Sequence, residues 1–237
     1  MGVQFSFVAS SDGLGGYFSC YGWGVNSADK RREENWNAAS HGIGFVAALI
    51  VLPIAIVEAI RRGGAYHIVG VSIFGAAMVL TLGASALYHA STDKKRKRSL
   101  RILDHASIYL LIASSYTPIC LTTLRGPWGW SLLGAVWGVA IIGIVMKLKY
   151  TGRFDLLSTF LYLAMGWAAL VAIVPIFSQM EVGSLLFLFG AGLCFTTGVV
   201  FYLLDHRPMF HFAWHLFVMG GCICLYGVVL TELPAVN

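Results

Sequence analysis

The chain has 237 residues, 58% of them hydrophobic and only 11% charged, with a formal net charge of +5 and a mean hydropathy of +0.76. Soluble domains carry about a quarter charged residues, so the composition excludes a soluble globular protein and predicts one embedded in a membrane. The basic excess lies in short segments beside apolar stretches, with no soluble domain to present it, which argues against nucleic-acid binding.

In chain order, residues 1–28 lack the basic start of a cleavable signal, and Gly13, Gly15, Gly16, Gly22 and Gly24 interrupt their apolar content. Residues 1–35 are therefore expected to form a flexible or surface-associated cytoplasmic tail. A spanning helix needs roughly 20 mainly apolar residues, and seven stretches qualify: 37–60, 67–89, 102–124, 127–146, 155–177, 182–204 and 209–232. The first holds His41, Pro53 and Glu58, the last within reach of Arg61 or Arg62. The second carries small residues (Gly75, Ala76, Ala77, Gly83, Ala84, Ala86) suited to close helix approach, and ends on Ser85 and His89. After the basic run Lys94–Arg98, the third opens with Asp104 and His105 and contains Pro118. The fourth offers Gly134 and Gly138 for close packing, with interfacial anchors among Trp128, Trp130 and Trp137. Pro175 lies in the fifth, and His211 and His215 open the seventh. Pro53, Pro118 and Pro175 are expected to kink or end their helices. The apolar runs are continuous rather than alternating, which favours helices over a membrane barrel. The expected fold is all-α: a seven-transmembrane-helix bundle over residues 36–237. Cys20, Cys120, Cys194, Cys222 and Cys224 form neither a zinc-ribbon pattern nor a disulfide framework, and read as packing residues.

With seven spans, the N-terminal tail and the second, fourth and sixth connections share one side, and that side holds 13 of the 16 basic residues. Positive-inside bias then puts the N-terminus in the cytoplasm and the C-terminus outside, in a multi-pass protein of the cell membrane. This topology gathers His41, His89, Asp104, His211 and His215 at the cytoplasmic end of the bundle. Ionisable groups inside a bilayer are costly and point to function.

His211 and His215, spaced i, i+4, share one helical face. With His89 they make a three-imidazole set suited to zinc, which leaves a fourth position for water. Asp104 is placed to orient that water and accept its proton. Ser85, four residues before His89 and on its face, is placed to donate a hydrogen bond to substrate or water. His41 and His105 are expected to be hydrogen-bonding core residues, and His67 and His206 to lie at span ends.

Three blocks carry a family resemblance: Glu33-Glu34-Asn35-Trp36-Asn37-Ala38-Ala39-Ser40-His41; Ser85 to His89 with Leu103 to Tyr109 and Ser115 to Pro118; and Asp205 to His215. Over residues 33–232 the chain resembles the progestin and adiponectin receptor (PAQR) superfamily, specifically its bacterial hemolysin III-like branch. The Asp104-His105 pair matches that branch rather than the hormone receptors. The resemblance implies seven helices with a cytoplasmic N-terminus and zinc held at His89, His211 and His215 with Asp104 beside it. It also implies lipid-amide hydrolysis, proposed for some receptors, and haemolysis or membrane homeostasis, linked to bacterial members.

Three functions follow in descending order of support. The first is membrane lipid homeostasis through a zinc-dependent hydrolase of lipid amides or esters, with membrane lipids as partners and a lipid substrate near the metal. The second is a non-enzymatic lipid or membrane-state sensor with structural zinc. The third is a pore-forming haemolysin, which needs polar groups through the full membrane thickness. Here polar residues gather at one end only.

Overall fold

The computed structural model describes residues 6–8, 17–19 and 27–235. Two short antiparallel strands, β1 (Ser6–Val8) and β2 (Tyr17–Ser19), pair in the N-terminal segment; the rest of the expected tail up to residue 26, including Cys20, lies outside the described residues. The remainder is helical: α1 (Ser27–Arg62), α2 (Ala65–Ala90), α3 (Lys94–Leu121), α4 (Pro127–Tyr150), α5 (Asp155–Gly166), a 3-10 segment (Trp167–Ala172), α6 (Ile173–Gln179), α7 (Val182–Leu203) and α8 (Phe210–Thr231). The segment from Asp155 to Gln179 acts as one rod, so the described residues form seven rods. Six are long and apolar enough to cross a membrane.

The seventh rod, α3, owes its lower hydropathy to its place in the bundle. It packs against α2, α4, α5 and α8 and buries Ser107, Tyr109, Ser114, Tyr116 and Thr117. Surrounded by other helices, it does not need an apolar surface, because its polar groups meet protein partners instead of lipid. Ser114 donates to the Leu111 carbonyl, Thr117 to that of Ala113, and Trp137 Nε1 donates to Thr117 Oγ1 across 3.1 Å. Asp93 starts the helix by accepting from the Arg96 N–H. Pro127 at the first position of α4 follows Gly126, whose φ of 147° only glycine tolerates easily.

Helix α1 begins at Ser27, ten residues before the expected span, so residues 27–35 continue a helix of 36 residues. At 1.5 Å per residue this is roughly 54 Å long, well beyond a hydrocarbon core of about 30 Å. The fifth rod breaks upstream of Pro175. Proline lacks the N–H that would bond the Val171 carbonyl, and residues 167–172 tighten to 3-10 geometry. The Tyr116 hydroxyl lies 2.8 and 2.7 Å from the Met165 and Gly166 carbonyls and accepts from the Ala169 N–H.

Close packing falls partly where the sequence placed it. Gly75 and Gly83 of α2 lie against Leu52 and Phe45 of α1. Gly134 and Gly138 instead face open space; on α4 the close approaches are at Gly129, to the Cys120 and Leu124 carbonyls, and at Gly143, to the Tyr109 ring. Glu58 pairs with Arg61 at 3.2 Å and with Arg62 at 3.6 Å. Cys120, Cys194, Cys222 and Cys224 are free thiols, with Cys120 and Cys222 buried.

Candidate metal centre

Antiparallel neighbours bring the start of α1, the end of α2, the start of α3 and the start of α8 to one end of the bundle. His89 closes the last turn of α2, while His211 and His215 occupy the first two turns of α8. One potential ligand atom from each lies within 4.8 Å of the others. The ring centroids are 4.8 Å apart for His89 and His215, 5.2 Å for His89 and His211, and 5.0 Å for His211 and His215. Metal–nitrogen bonds of about 2.0–2.1 Å in tetrahedral array bring ligand nitrogens to about 3.3 Å, within reach of small ring rotations.

The surroundings of each ring fit a metal. His89 Nδ1 lies 3.1 Å from Glu34 Oε2, while its Nε2 is buried with no hydrogen-bond partner among the described residues. A buried nitrogen without a partner is costly, and here it faces two other imidazoles. His215, 1% exposed, lies near the Asn37 backbone and has Nδ1 3.5 Å from Ser40 Oγ. His211 Nδ1 lies 3.9 Å from Asp205 Oδ2. Each ring thus has an outward polar neighbour, the arrangement that fixes tautomer and orientation in metal-ligating histidines. Three imidazoles, two of them buried, suit a borderline divalent ion such as zinc.

Asp104 stands near His89 and Ser85. The Ser85 side chain is buried on the same face of α2 as His89, next to the Asp104 carboxylate. Arg101, one turn before Asp104, donates to Asp155 Oδ2 at 3.0 Å. His41, expected to be a hydrogen-bonded core residue, is buried, but neither ring nitrogen has a partner among the described residues; its ring stacks on His215. His105 lies behind the site, its backbone carbonyl accepting from the Tyr162 hydroxyl at 2.7 Å.

Several contributors escaped the sequence reading. Glu33, Glu34, Asn37 and Ser40 line the face of α1 turned to the histidines, and Lys97 reaches Glu34 across 2.7 Å. In the sequence Glu33 and Glu34 belong to the family block and Lys97 to a basic run, neither of which points to His89. Their i, i+3, i+4 spacing with His41 was the available signal. Lys147 had likewise been counted among the loop cations. It is 2% exposed and donates to Asp155 Oδ1 at 2.7 Å, so Asp155 joins α4 and α3 through Lys147 and Arg101.

A multi-pass helical membrane protein with three histidines gathered at one end of the bundle is the class that this fold and site define. The chain belongs to the haemolysin-III related family, whose model matches residues 30–226, within the PAQR superfamily. It is 41% identical over 199 residues to the hemolysin-3 homolog of Bacillus subtilis (strain 168), covering 84% of this chain and 93% of that one. Against hemolysin-3 of Bacillus cereus the identity is 40%, over 84% of this chain and 91% of the relative. The human monocyte to macrophage differentiation factor is 27% identical over 65% of this chain and 66% of its own length. No solved structure matches the chain significantly.

Proposed function

We propose that the protein holds zinc at His89, His211 and His215 and uses it to hydrolyse a lipid amide or ester in membrane lipid homeostasis. In this reading the seven rods all cross the cell membrane with the N-terminus in the cytoplasm, and the site opens to the inner leaflet. A tag at the N-terminus should then be shielded from protease in intact cells.

The observation that carries the catalytic reading is the ligand set. Structural zinc is closed by four protein ligands, whereas catalytic zinc keeps a position open. Among the described residues three histidines converge, and no fourth side chain joins their set. Zinc, when bound, supplies Lewis acidity and lowers the pKa of water toward about 7. The protein's own part falls to Asp104. Its carboxylate takes a proton from the attacking water and returns it to the leaving nitrogen or oxygen. Ser85, next to that carboxylate, is placed to orient it.

Purified protein in lipid nanodiscs, given ceramide-type amides and ester lipids, should release fatty acid. Asp104→Asn and His211→Ala should each lower the rate by at least about 100-fold. Equal release by all three proteins would remove the hydrolase reading.

The second reading, a membrane-state sensor with structural zinc, has one observation in its favour. The backbones of α2 and α8 make little close approach, so an ion shared by His89 and the α8 histidines would staple them. Metal-dependent stability without turnover of any lipid would select it.

A further inference from the structure

Glu33 and Glu34 are consecutive on α1, so their side chains leave the helix about 100° apart and reach different neighbours. Glu34 Oε2 takes two partners from two other helices: His89 Nδ1 at 3.1 Å on α2 and Lys97 Nζ at 2.7 Å on α3. Glu33 lies beside the backbone N–H groups of Met209 and His211 at the start of α8, and its Oε1 is buried without a hydrogen-bond partner among the described residues. Both glutamates are half-buried, whereas Arg31, Arg32, Asn35 and Trp36 around them are exposed. Charged groups at a helix end are ordinarily left to water, and half-burying two adjacent carboxylates is unfavourable unless their partners compensate.

We infer that Glu33 and Glu34 form a clamp that preorganises the metal centre, both as positioning residues; the inference rests on the zinc reading. Glu34 acts on His89. With Nδ1–H donated to the carboxylate, the lone pair of the ring stays on Nε2, the buried atom that faces the other histidines. An anionic acceptor also makes the imidazole a better ligand. Lys97 holds the carboxylate in place and offsets its charge.

Glu33 acts on the other two ligands. The first N–H groups of a helix have no partner within it, and Met209 supplies no side-chain cap to α8. Met209 also carries a φ of 64°, a left-handed conformation that a non-glycine residue keeps only when its surroundings hold it. The Glu33 carboxylate, reaching from α1, lies beside those N–H groups and favours this helix start through their partial positive charge. The turn that presents His211 and, four residues on, His215 is thereby fixed to the helix that orients His89. Two neighbouring side chains thus act on all three ligands.

The test compares wild type with Glu34→Ala, Glu34→Gln, Glu33→Gln and Lys97→Met, each stripped of metal in detergent. Zinc affinity is read by competition with a chromophoric chelator, the cobalt form by its d–d absorption band, and the metal-free protein by its melting temperature. Glu34→Ala should weaken zinc binding about 10–100-fold and shift the cobalt band. Glu34→Gln should recover most of that loss, because its amide oxygen accepts from the same Nδ1–H. Lys97→Met and Glu33→Gln should show smaller losses of affinity. A lower melting temperature with unchanged affinity and cobalt band across the series would overturn the clamp. Wild type that binds neither metal would overturn the zinc reading itself, an outcome distinct from the previous one.

Discussion

His41 and His215 lie face to face, ring centroids 3.7 Å apart and planes 17° from parallel. The stack joins α1 to a candidate metal-ligand residue of α8, and no hydrogen bond to His41 takes part. Its ring nitrogens are buried without partners among the described residues, so the contribution of His41 to this packing is its flat face. His41→Phe should preserve the stack and relieve two unpaired polar atoms, leaving thermal stability unchanged or raised by up to about 1 kcal/mol. His41→Ala should cost about 3 kcal/mol through the cavity it leaves. Thermal unfolding in detergent separates the two. A His41→Phe protein that keeps its metal but loses turnover would instead assign those nitrogens to substrate.

Metal removal should destabilise the wild-type protein. Free zinc at 100 times its dissociation constant stabilises the native state by about 2.7 kcal/mol. A chelator should therefore lower the melting temperature of the wild type. His215→Ala should melt at the same temperature with or without chelator, and elemental analysis should find it depleted of zinc.

The Lys147–Asp155–Arg101 group makes an asymmetric prediction. Asp155→Ala strands the 2%-exposed Lys147 ammonium and should cost about 3–5 kcal/mol. Lys147→Met should cost less, because Arg101 still neutralises Asp155 and methionine fills a similar volume. Unfolding in denaturant gives the order, and a larger loss for Lys147→Met would contradict the burial of this lysine.

Two glycines of one helix should answer differently to alanine. A Cβ at Gly143 would stand 2.3 Å from the Tyr109 ring, whereas at Gly138 it would meet nothing within 4 Å. Gly143→Ala should cost about 1–3 kcal/mol by overpacking, while Gly138→Ala should be neutral or stabilise by up to about 1 kcal/mol. Parallel thermal melts of the two variants check this rotation of α4.

The helices and the histidine cluster were legible in sequence to different depths. Continuous apolar runs located six spans, because lipid demands them of any helix that faces it. Helix α3, expected as a span, is a helix of the bundle, but it is not among the six that are apolar enough to cross a membrane. Length alone did not reveal that α1 runs on to Ser27, since Asp29 to Asn35 look like a solvated approach to the membrane. The break at Trp167–Ala172 was hidden because the hydroxyl that satisfies it belongs to Tyr116, about 50 residues away. At the site, chemistry and topology singled out His89, His211 and His215, but spacing said nothing of which way Ser85 or His41 would turn.

What the sequence determined by itself was the solvent of this protein, the helical form of its chain and the residues able to bind a metal. These depend on local composition, hydropathy and period, which a single segment carries within itself. Tertiary structure alone decided which groups those residues meet. Glu34 finds His89 55 positions away, Asp155 pairs with a lysine and an arginine from two other helices, and His41 meets a ring instead of a hydrogen-bond donor. Such pairings depend on the rotation and offset of packed helices, which are set by many distant contacts together.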